Sequence, residues 1–226
     1  MFAVSGIGVK NTKVNINYLK FDGGSEAIVN GILFTGQMSI NDADVTIENS
    51  TFKNSLSDDG VNIKYSRVDI RNSKFIDNFS DQIDLDYCQA TIFNNVFDYK
   101  KSNKKGVLIN TDGLDISGSK VQATGNIFSN FSDKGISIGE GSNIMISGNE
   151  FKNNNLAIAI KDDSKAFIGK NQFHDNNIDI SMYIKKKIYN NPNLYTIFKN
   201  KELNLKIESG DVFYMEDLQS VFQGVK

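Results

Sequence analysis

The sequence contains very little cysteine, histidine, proline or tryptophan. Cysteine, histidine and proline occur once each, as Cys88, His174 and Pro192, and tryptophan does not occur. A single cysteine excludes a disulfide within the chain and argues against a cysteine-rich zinc site. We therefore interpret Cys88 as a structural thiol, and His174, which begins a His-Asp-Asn-Asn turn, as a solvent-exposed side chain.

Long apolar runs and a large excess of one charge are also missing. No run has the roughly 18 to 20 apolar residues that a membrane-spanning helix needs, so we predict no membrane span. The 25 basic and 27 acidic residues give a net charge of -2. Nucleic acid is therefore not expected as a partner, because its binding depends on clustered basic residues. The densest basic run, Lys185–Lys187, is typical of a solvated turn.

What the sequence does contain is a repeat built around phenylalanine. Successive members are 31, 23, 22, 31, 23 and 22 residues apart, and seven residues before each one an apolar-polar-apolar triplet begins, as in Val45–Ile47 before Phe52. A second triplet precedes the first, beginning with Ile7–Val9 and ending with Ile158–Ile160. A period of two predicts short strands with one buried face. The repeating residues are Phe21, Phe52, Phe75, Phe97, Phe128, Phe151 and Phe173.

A unit of about 22 residues with two or three such strands cannot bury its apolar face alone, but stacked units form a continuous core. Asn, Gly or Ser residues just before each phenylalanine, such as Asn94-Asn95, predict a repeated corner. Asn tolerates left-handed backbone geometry and can bond to its copy in the next coil. The sequence therefore predicts a solenoid with asparagine at its corners and stacked phenylalanine in its core.

This Gly-Asn-x-Phe-like repeat resembles the parallel β-helix repeat of the pectate-lyase-like superfamily over about residues 5–184. The resemblance implies an all-β fold, a right-handed parallel β-helix over residues 1–184 with coils of about 22 residues. The period stops near Lys185, so we expect residues 185–226 to form a small C-terminal cap with a short helix. Three segments are also similar to β-helix regions of large bacterial surface or secreted proteins: Asp133–Glu140, Ile158–Asp162 and Tyr183–Lys186. An extracellular or cell-surface location and further domains in a longer chain are therefore expected.

One side of the predicted helix is acidic. Stacking aligns equivalent residues in columns, and three columns bring six carboxylates on neighbouring coils within about 5 to 10 Å of one another: Asp59, Asp81, Asp84, Asp86, Asp112 and Asp115. Carboxylates so close repel unless a cation neutralises them, and carboxylate oxygens are ligands that Ca²⁺ prefers. The candidate Ca²⁺ ligands are Asp59, Asp81, Asp84 and Asp86. The candidate substrate-binding residues nearby are Asp115, Ser137, Glu140 and Lys161.

The resemblance also implies a chemistry. In β-helix enzymes that cleave acidic polysaccharides, Ca²⁺ held by Asp residues acidifies the proton beside the sugar carboxylate, and a basic side chain removes it. By this resemblance Lys64 and Lys134 are the candidate catalytic bases. Related hydrolases would show Asn-Thr-Asp, Asp-Asp, Gly-His-Gly and Arg-Ile-Lys motifs. Asp58-Asp59 stands without its partners, so hydrolysis of that kind is not expected.

Two functions from different classes remain open. The first is a non-catalytic β-helix module of a larger bacterial extracellular or surface protein, which recognises a glycan or serves as a scaffold. The second is a Ca²⁺-dependent lyase or epimerase acting on an acidic polysaccharide, which requires a bound cation and an essential lysine. A purely structural role also fits, because a solenoid needs polar residues outside and Asp-Gly pairs are ordinary turn residues. Use in a trimeric adhesin or tail fibre needs a self-complementary apolar side that the sequence does not identify.

Two further expectations concern the surface beside the acidic columns. Insertions of about nine residues fall in residues 22–34 and 98–110 and begin in the same part of their coils. We expect both to project from the same side and to flank a cleft that contains Asp59 to Asp86. Tyr65 and Tyr87 occupy equivalent positions in adjacent coils, where mutual packing is expected and stacking on a sugar ring is the alternative.

Overall fold

The computed structural model describes residues 1–100, 110–197, 203–218 and 222. Apart from helical backbone at Leu218 and Phe222, the regular structure of these residues is β-strand. In chain order the strands are β1 (Phe2–Ser5), β2 (Lys13–Asn17), β3 (Lys20–Asp22), β4 (Ala27–Val29), β5 (Ile32–Phe34), β6 (Gly36–Asn41), β7 (Asp44–Glu48), β8 (Thr51–Lys53), β9 (Asp59–Lys64), β10 (Arg67–Arg71), β11 (Lys74–Ile76), β12 (Asp81–Asp86), β13 (Gln89–Phe93), β14 (Val96–Asp98), β15 (Asp112–Ser117), β16 (Lys120–Thr124), β17 (Ile127–Ser129), β18 (Lys134–Gly139), β19 (Asn143–Ser147), β20 (Glu150–Lys152), β21 (Leu156–Lys161), β22 (Lys165–Ile168), β23 (Gln172–His174), β24 (Ile178–Tyr183), β25 (Asn193–Thr196), β26 (Leu205–Ile207) and β27 (Asp211–Tyr214).

Three parallel sheets form the solenoid, and two of them, sheets A and B, run the length of the described chain. Sheet A has the order β1-β6-β9-β12-β15-β18-β21-β24-β26, and sheet B has the order β2-β7-β10-β13-β16-β19-β22-β25-β27. Sheet C pairs β3-β8-β11-β14-β17-β20-β23. Each of the first seven coils passes through sheet A, then B, then C, and the last two described coils contribute strands to sheets A and B. The predicted all-β parallel helix is confirmed. Of the two or three strands per coil that the repeat allows, the first seven coils have three, and the third carries the phenylalanine.

The core is built from the residues that the repeat predicts. Phe52, Phe75, Phe97, Phe128 and Phe151 are completely buried. From Phe52 to Phe173 their rings form one parallel stack with centroids 4.6 to 5.3 Å apart. Branched aliphatic residues from sheets A and B fill the remaining space. Because each ring contacts the ring above and the ring below, the stack fixes the register of the coils.

Two consecutive positions at the corner between sheets B and C each fulfil one of the two roles predicted for asparagine. The first residue, such as Asn72 or Asn94, adopts a positive φ. The second residue forms a buried ladder, in which the Nδ2 atom of Asn95 donates to the Oδ1 atom of Asn126 over 3.1 Å. Asn126 donates in turn to Asn149 over 2.9 Å. The ladder satisfies buried polar groups and ties neighbouring coils together.

The first coil differs from the prediction. Ile7–Val9 is not the first strand of sheet A, because β1 holds that place and Ala3 and Ser5 pair with Ser39 and Asn41. Gly6 and Gly8 turn the chain instead: Gly8 has a φ of 78°, and a Cβ on Gly6 would lie 1.9 Å from the carbonyl oxygen of Asp42. Ile7 and Val9 are consequently exposed.

Strands continue beyond the predicted end of the coils at residue 184. β25 pairs with β22, β26 with β24 and β27 with β25, so residues of the predicted cap extend sheets A and B. The residues 184–192 between β24 and β25 are a long connection that hides the period. Of the run 211–222 in which the short helix is predicted, Asp211–Tyr214 instead form β27, and residues 219–221 lie outside the described residues. Leu218 and Phe222, which have helical backbone, pack on the outer face of sheet B.

Both insertions leave the helix at the corner between sheets C and A. The first contains the antiparallel hairpin of β4 and β5, and the second lies between β14 and β15. Their origin at the same corner is as predicted. Residues 101–109 of the second insertion lie outside the described residues.

Candidate functional site

The acidic face predicted from the repeat lies on the outside of sheet A. Asp59 is in register with Asp81, and Asp112 is in register with Lys134. A second column runs through Asn62, Asp84, Asp115 and Ser137, and a third through Lys64, Asp86, Ser117 and Gly139. The alignment of these columns is confirmed from the second coil onward. The face carries six carboxylates and three ammonium groups, and several of these groups are buried between neighbouring side chains.

Glycine sets the geometry at the start of these strands. The residue after the first column, such as Gly113, interrupts the strand alternation, because Asp112 and Asp115 are three residues apart and still reach the same face. A Cβ on Gly113 would lie 2.5 Å from the carbonyl oxygen of Gly135 and 2.8 Å from the ring of Phe128. The close approach therefore requires glycine. The interruption at this glycine places Asp112 and Lys134 on the same outer face as the second column.

Three carboxylates converge on this face. Asp81, Asp112 and Asp115 each offer one oxygen, and these oxygens lie within 4.8 Å of one another. The backbone N–H of Asp112 donates to Asp81 over 3.2 Å, which links the two coils. Asp112 is buried, and the other two are half-buried. We call these three residues the aspartate cluster.

Burial and mutual repulsion disfavour negative charge here. Burial raises the pKa of Asp81 well above its ordinary value, and Asp112 and Asp115 raise it further. The pKa of Asp112 rises to about 6 because of burial, although Lys134 opposes the shift. The pKa of Asp84 is also well raised by burial and then by Asp59. A divalent cation would relieve this repulsion, and oxygen ligands suit Ca²⁺.

The other predicted metal ligands have separate partners. Asp59 accepts a 2.6 Å hydrogen bond from Thr35, and burial raises its pKa to about 7. Asp84 accepts a 2.7 Å hydrogen bond from Asn62. Asp86 forms a 2.7 Å ion pair with Lys64. The predicted set of four therefore does not coincide with the aspartate cluster, which shares only Asp81 with it.

The two predicted catalytic lysines are held by carboxylates. Lys134 binds Asp112 over 3.1 Å and also binds Asp133. Burial alone would lower the pKa of Lys134, but these two carboxylates raise it above its ordinary value. Burial likewise opposes ionisation of Lys64, but its hydrogen bond to Asp86 and the nearby charges leave its pKa raised. Both groups are therefore held as ammonium ions.

Lys161 differs from the other two lysines. It is buried, and its Nζ atom donates to the Oγ atom of Ser137 over 2.7 Å. Burial lowers its pKa, and the attraction of Asp115 does not fully compensate. Among the predicted substrate-binding residues, Ser137, Lys161 and Asp115 lie on this face. Glu140 lies at the next corner, where it has a positive φ and forms an ion pair with Lys186.

Sequence reasoning placed Asp112 in the acidic columns but not among the metal ligands. Its Asp-Gly pair looks like ordinary turn chemistry, and the ligand role depends on the interruption of the alternation at Gly113. Thr35 and Asn62 were also missed as partners of Asp59 and Asp84. For Asn62 the sequence does contain a signal, because the register of the repeat places this residue next to Asp84.

Comparison with known proteins gives a family and a fold. A family model described as the right-handed beta helix region matches residues 59–217, more than half of the chain. The crystal structure of alginate lyase from Paenibacillus sp. str. FPU-7 is similar with 9% sequence identity and a TM-score of 0.47, covering 94% of this chain and 98% of that chain. A search of curated proteins finds no match. Among the described residues, no helix is long and apolar enough to span a membrane.

Proposed function

Because the chain belongs to the right-handed β-helix family, we propose that it is a non-catalytic module of a larger extracellular or surface protein that recognises a glycan on sheet A. The aspartate cluster would hold a divalent cation, with Ca²⁺ as the first candidate. The observation that carries the proposal is the convergence of three carboxylate oxygens within 4.8 Å. Such a group is costly to bury as three anions, and a cation converts that repulsion into attraction.

The chemistry of the donor set fits a cation that also contacts a ligand. Ca²⁺ takes about six to eight oxygen ligands, and one oxygen from each of Asp81, Asp112 and Asp115 leaves several coordination positions for others. Water or the hydroxyl and carboxylate oxygens of a glycan are suitable for these positions. Ser137 and Lys161 lie on the same face and would add hydrogen bonds beside the cation. These features support recognition by a cation together with polar side chains.

The state of the lysines supports binding without catalysis. A general base must have a free lone pair, whereas the Nζ atoms of Lys64 and Lys134 bind carboxylates. Their raised pKa values disfavour loss of the proton. Their ion pairs fit a role in neutralising the acidic face and holding its carboxylates in place.

Lys161 gives the second candidate function some support. Its pKa is lowered by burial, and it lies near Asp115, a member of the aspartate cluster. If the protein is a lyase or epimerase for an acidic polysaccharide, Lys161 is a better candidate base than Lys64 or Lys134. A bound cation would supply positive charge beside the sugar carboxylate, and Lys161 would accept the proton of the neighbouring carbon.

Calorimetric titration of Ca²⁺ into chelator-treated protein tests the proposal. We expect binding heat in the natural protein and its loss in Asp112→Asn/Asp115→Asn. A matched control, Asp163→Asn/Asp175→Asn, removes two carboxylates from turn positions with positive φ, where asparagine is equally tolerated. This control should bind Ca²⁺ normally, and circular dichroism should show that both variants are folded.

Glycan binding and turnover are then measured separately. A panel of uronate-containing and neutral polymers is tested with and without Ca²⁺, and ultraviolet absorbance follows any unsaturated product. Ca²⁺-dependent retention without product is expected. Product formation that Lys161→Ala abolishes would establish the second candidate, and absence of Ca²⁺ heat would refute the cation site.

A further inference from the structure

A groove lies on the outer face of sheet B, away from the aspartate cluster. One hollow of about 740 Å³ is lined by residues from β7, β10, β13 and β16, and a second of about 540 Å³ lies at the corner between sheets A and B. Asp44, Arg67 and Gln89 line both hollows, so the two form one continuous groove. Each hollow alone has a volume in the range of about 300 to 1,000 Å³ that is usual for ligand sites. We call it the sheet B groove.

A pair of tyrosines forms one side of the sheet B groove, at the corner between sheets A and B. The rings of Tyr65 and Tyr87 stack 5.2 Å apart and almost parallel, as the packing expectation predicted, yet the residues are 60% and 53% exposed. Both have a φ of 54°. Gly118, the next residue of this corner column, also has a positive φ and leaves room for the ring of Tyr87.

The backbone of these tyrosines is strained, which makes their presence informative. Bulky side chains rarely adopt a positive φ, whereas glycine, asparagine and aspartate do so at lower cost. Asp42 and Gly118 occupy the positions on either side of the pair. A corner column that accepts glycine or aspartate has no need of tyrosine for its turn. Strain of this kind concentrates at functional positions, and here it keeps two aromatic rings at the surface.

Phe222 closes the end of the groove that lies towards the C-terminal coils. Its ring packs edge-on against Phe167 with centroids 5.3 Å apart, and the Nζ atom of Lys120 lies 5.1 Å from its centroid. The central outward column of sheet B changes from polar to apolar and aromatic along the helix. The earlier coils contribute Thr46, Asp69, Thr91 and Gln122, and the later coils contribute Met145, Phe167, Tyr195 and Phe213. Phe222 lies at this change, so the groove has a polar floor that ends at an aromatic side chain.

The charge of the groove limits the class of ligand. Arg67 and Lys120 are opposed by Asp44 and Asp69, and Asp69 is already paired with Arg71. Neither positive nor negative charge dominates the groove, which disfavours binding of a polyanion such as nucleic acid. The floor offers hydroxyl and amide groups in rows with a spacing of about 4.8 Å. Such rows suit a ligand with many hydroxyl groups, and aromatic rings suit the apolar faces of sugar rings.

We propose that the sheet B groove binds a neutral carbohydrate chain that runs along the helix axis past Tyr65 and Tyr87, which line its side, towards Phe222. The groove crosses four coils, a distance of about 14 Å by the usual strand spacing, which is the length of a short oligosaccharide. Tyr65 stacks on one sugar ring, and Arg67, Gln89 and Thr91 bond its neighbours. This site goes beyond the proposed function, because it needs neither the aspartate cluster nor a cation.

Tyrosine fluorescence offers a direct assay, because the chain contains no tryptophan. The probes are cellohexaose, chitohexaose and xylohexaose, titrated in the presence of a chelator, with calorimetry as a second readout. We expect at least one of the three to bind. Tyr65→Asn/Tyr87→Asn should weaken that binding about tenfold or more, as expected for the loss of aromatic stacking. Asparagine suits the positive φ, so this variant should stay folded.

Tyr18→Asn is the matched control. Tyr18 is 80% exposed and has a φ of 56°, but it lies at the corner between sheets B and C. It should bind the oligosaccharide like the natural protein, whereas Arg67→Gln should bind more weakly. Failure of all three probes to bind overturns the proposal, as does binding that the double tyrosine variant leaves unchanged. Loss of Ca²⁺ binding in Asp112→Asn/Asp115→Asn with oligosaccharide binding intact would separate this site from the one on sheet A.

Discussion

The buried carboxylates of sheet A predict that the protein loses stability as the pH rises. Asp59 is the clearest case, because it is only 4% exposed and burial raises its pKa from 3.8 to about 7. Between these two values the folded state holds a proton that the unfolded state has released. Unfolding is therefore favoured by rising pH from about 4 to about 7, and the loss is complete above the folded pKa.

The magnitude follows from the two pKa values. At about 1.4 kcal/mol per pH unit, the shift of Asp59 from 3.8 to about 7 corresponds to about 4 kcal/mol of lost stability at pH 8. About 3 kcal/mol of this loss should appear between pH 5 and pH 8. That is a large fraction of the about 5 to 15 kcal/mol that stabilises a typical folded protein. Asp81, Asp84 and Asp112 have pKa shifts in the same direction and should add to the slope.

Urea unfolding in the presence of a chelator, followed by circular dichroism at pH 5 and pH 8, measures this slope. Asp59→Asn should flatten it and stabilise the protein at pH 8, because an amide oxygen can still accept the hydrogen bond from Thr35. Asp175→Asn, at an exposed turn with positive φ, is the control and should leave the slope unchanged. Stability that rises from pH 5 to pH 8, or an equal slope in Asp59→Asn, would refute the reasoning.

Three further predictions concern the framework of the sites. Asn126→Ala should cost about 3 kcal/mol in urea unfolding, because it leaves buried ladder groups of its neighbours unpaired. Cys88→Ser should change stability by less than about 1 kcal/mol, since equivalent corner positions hold serine and their hydroxyl groups accept the same backbone hydrogen bond. Gly113→Ala should destabilise the fold and weaken Ca²⁺ binding, whereas Gly139→Ala, whose added Cβ makes only ordinary contacts, should do neither in thermal unfolding and calorimetry.

The fold was predictable because the repeat encodes it several times. The same pattern of alternating apolar residues, corner asparagine and core phenylalanine recurs along the chain. One irregular coil therefore does not prevent recognition of the repeat. The first coil was misread because Ile7–Val9 has the alternation of a strand, while the turn depends on the close approach of Gly6 to Asp42. The strands after residue 184 were missed because the long connection of residues 184–192 interrupts the period.

The candidate site was predictable only to the level of columns. Register follows from the period, and it correctly aligned Asp84 with Asp115. Which carboxylates converge depends on how the glycine interrupts the alternation of side-chain directions, and the sequence does not encode this as a period. The ion pairs of Lys64 and Lys134 depend on the same detail. The alternation of apolar and polar residues likewise does not predict the strained backbone of Tyr65 and Tyr87, since tyrosine is an ordinary strand residue.

The stacking of coils has a consequence for how steadily the sites are held. In a solenoid each unit contacts only its neighbours, so local opening begins at the ends and spreads inward one unit at a time. Asp81 belongs to the fourth coil and Asp112 to the fifth, with three coils before them and four after them in the described chain. Transient fraying of either end therefore leaves this region paired on both sides. Amide hydrogen exchange should be fastest in the terminal strands and slowest around the aspartate cluster, which places the binding face in the least mobile section of the rod.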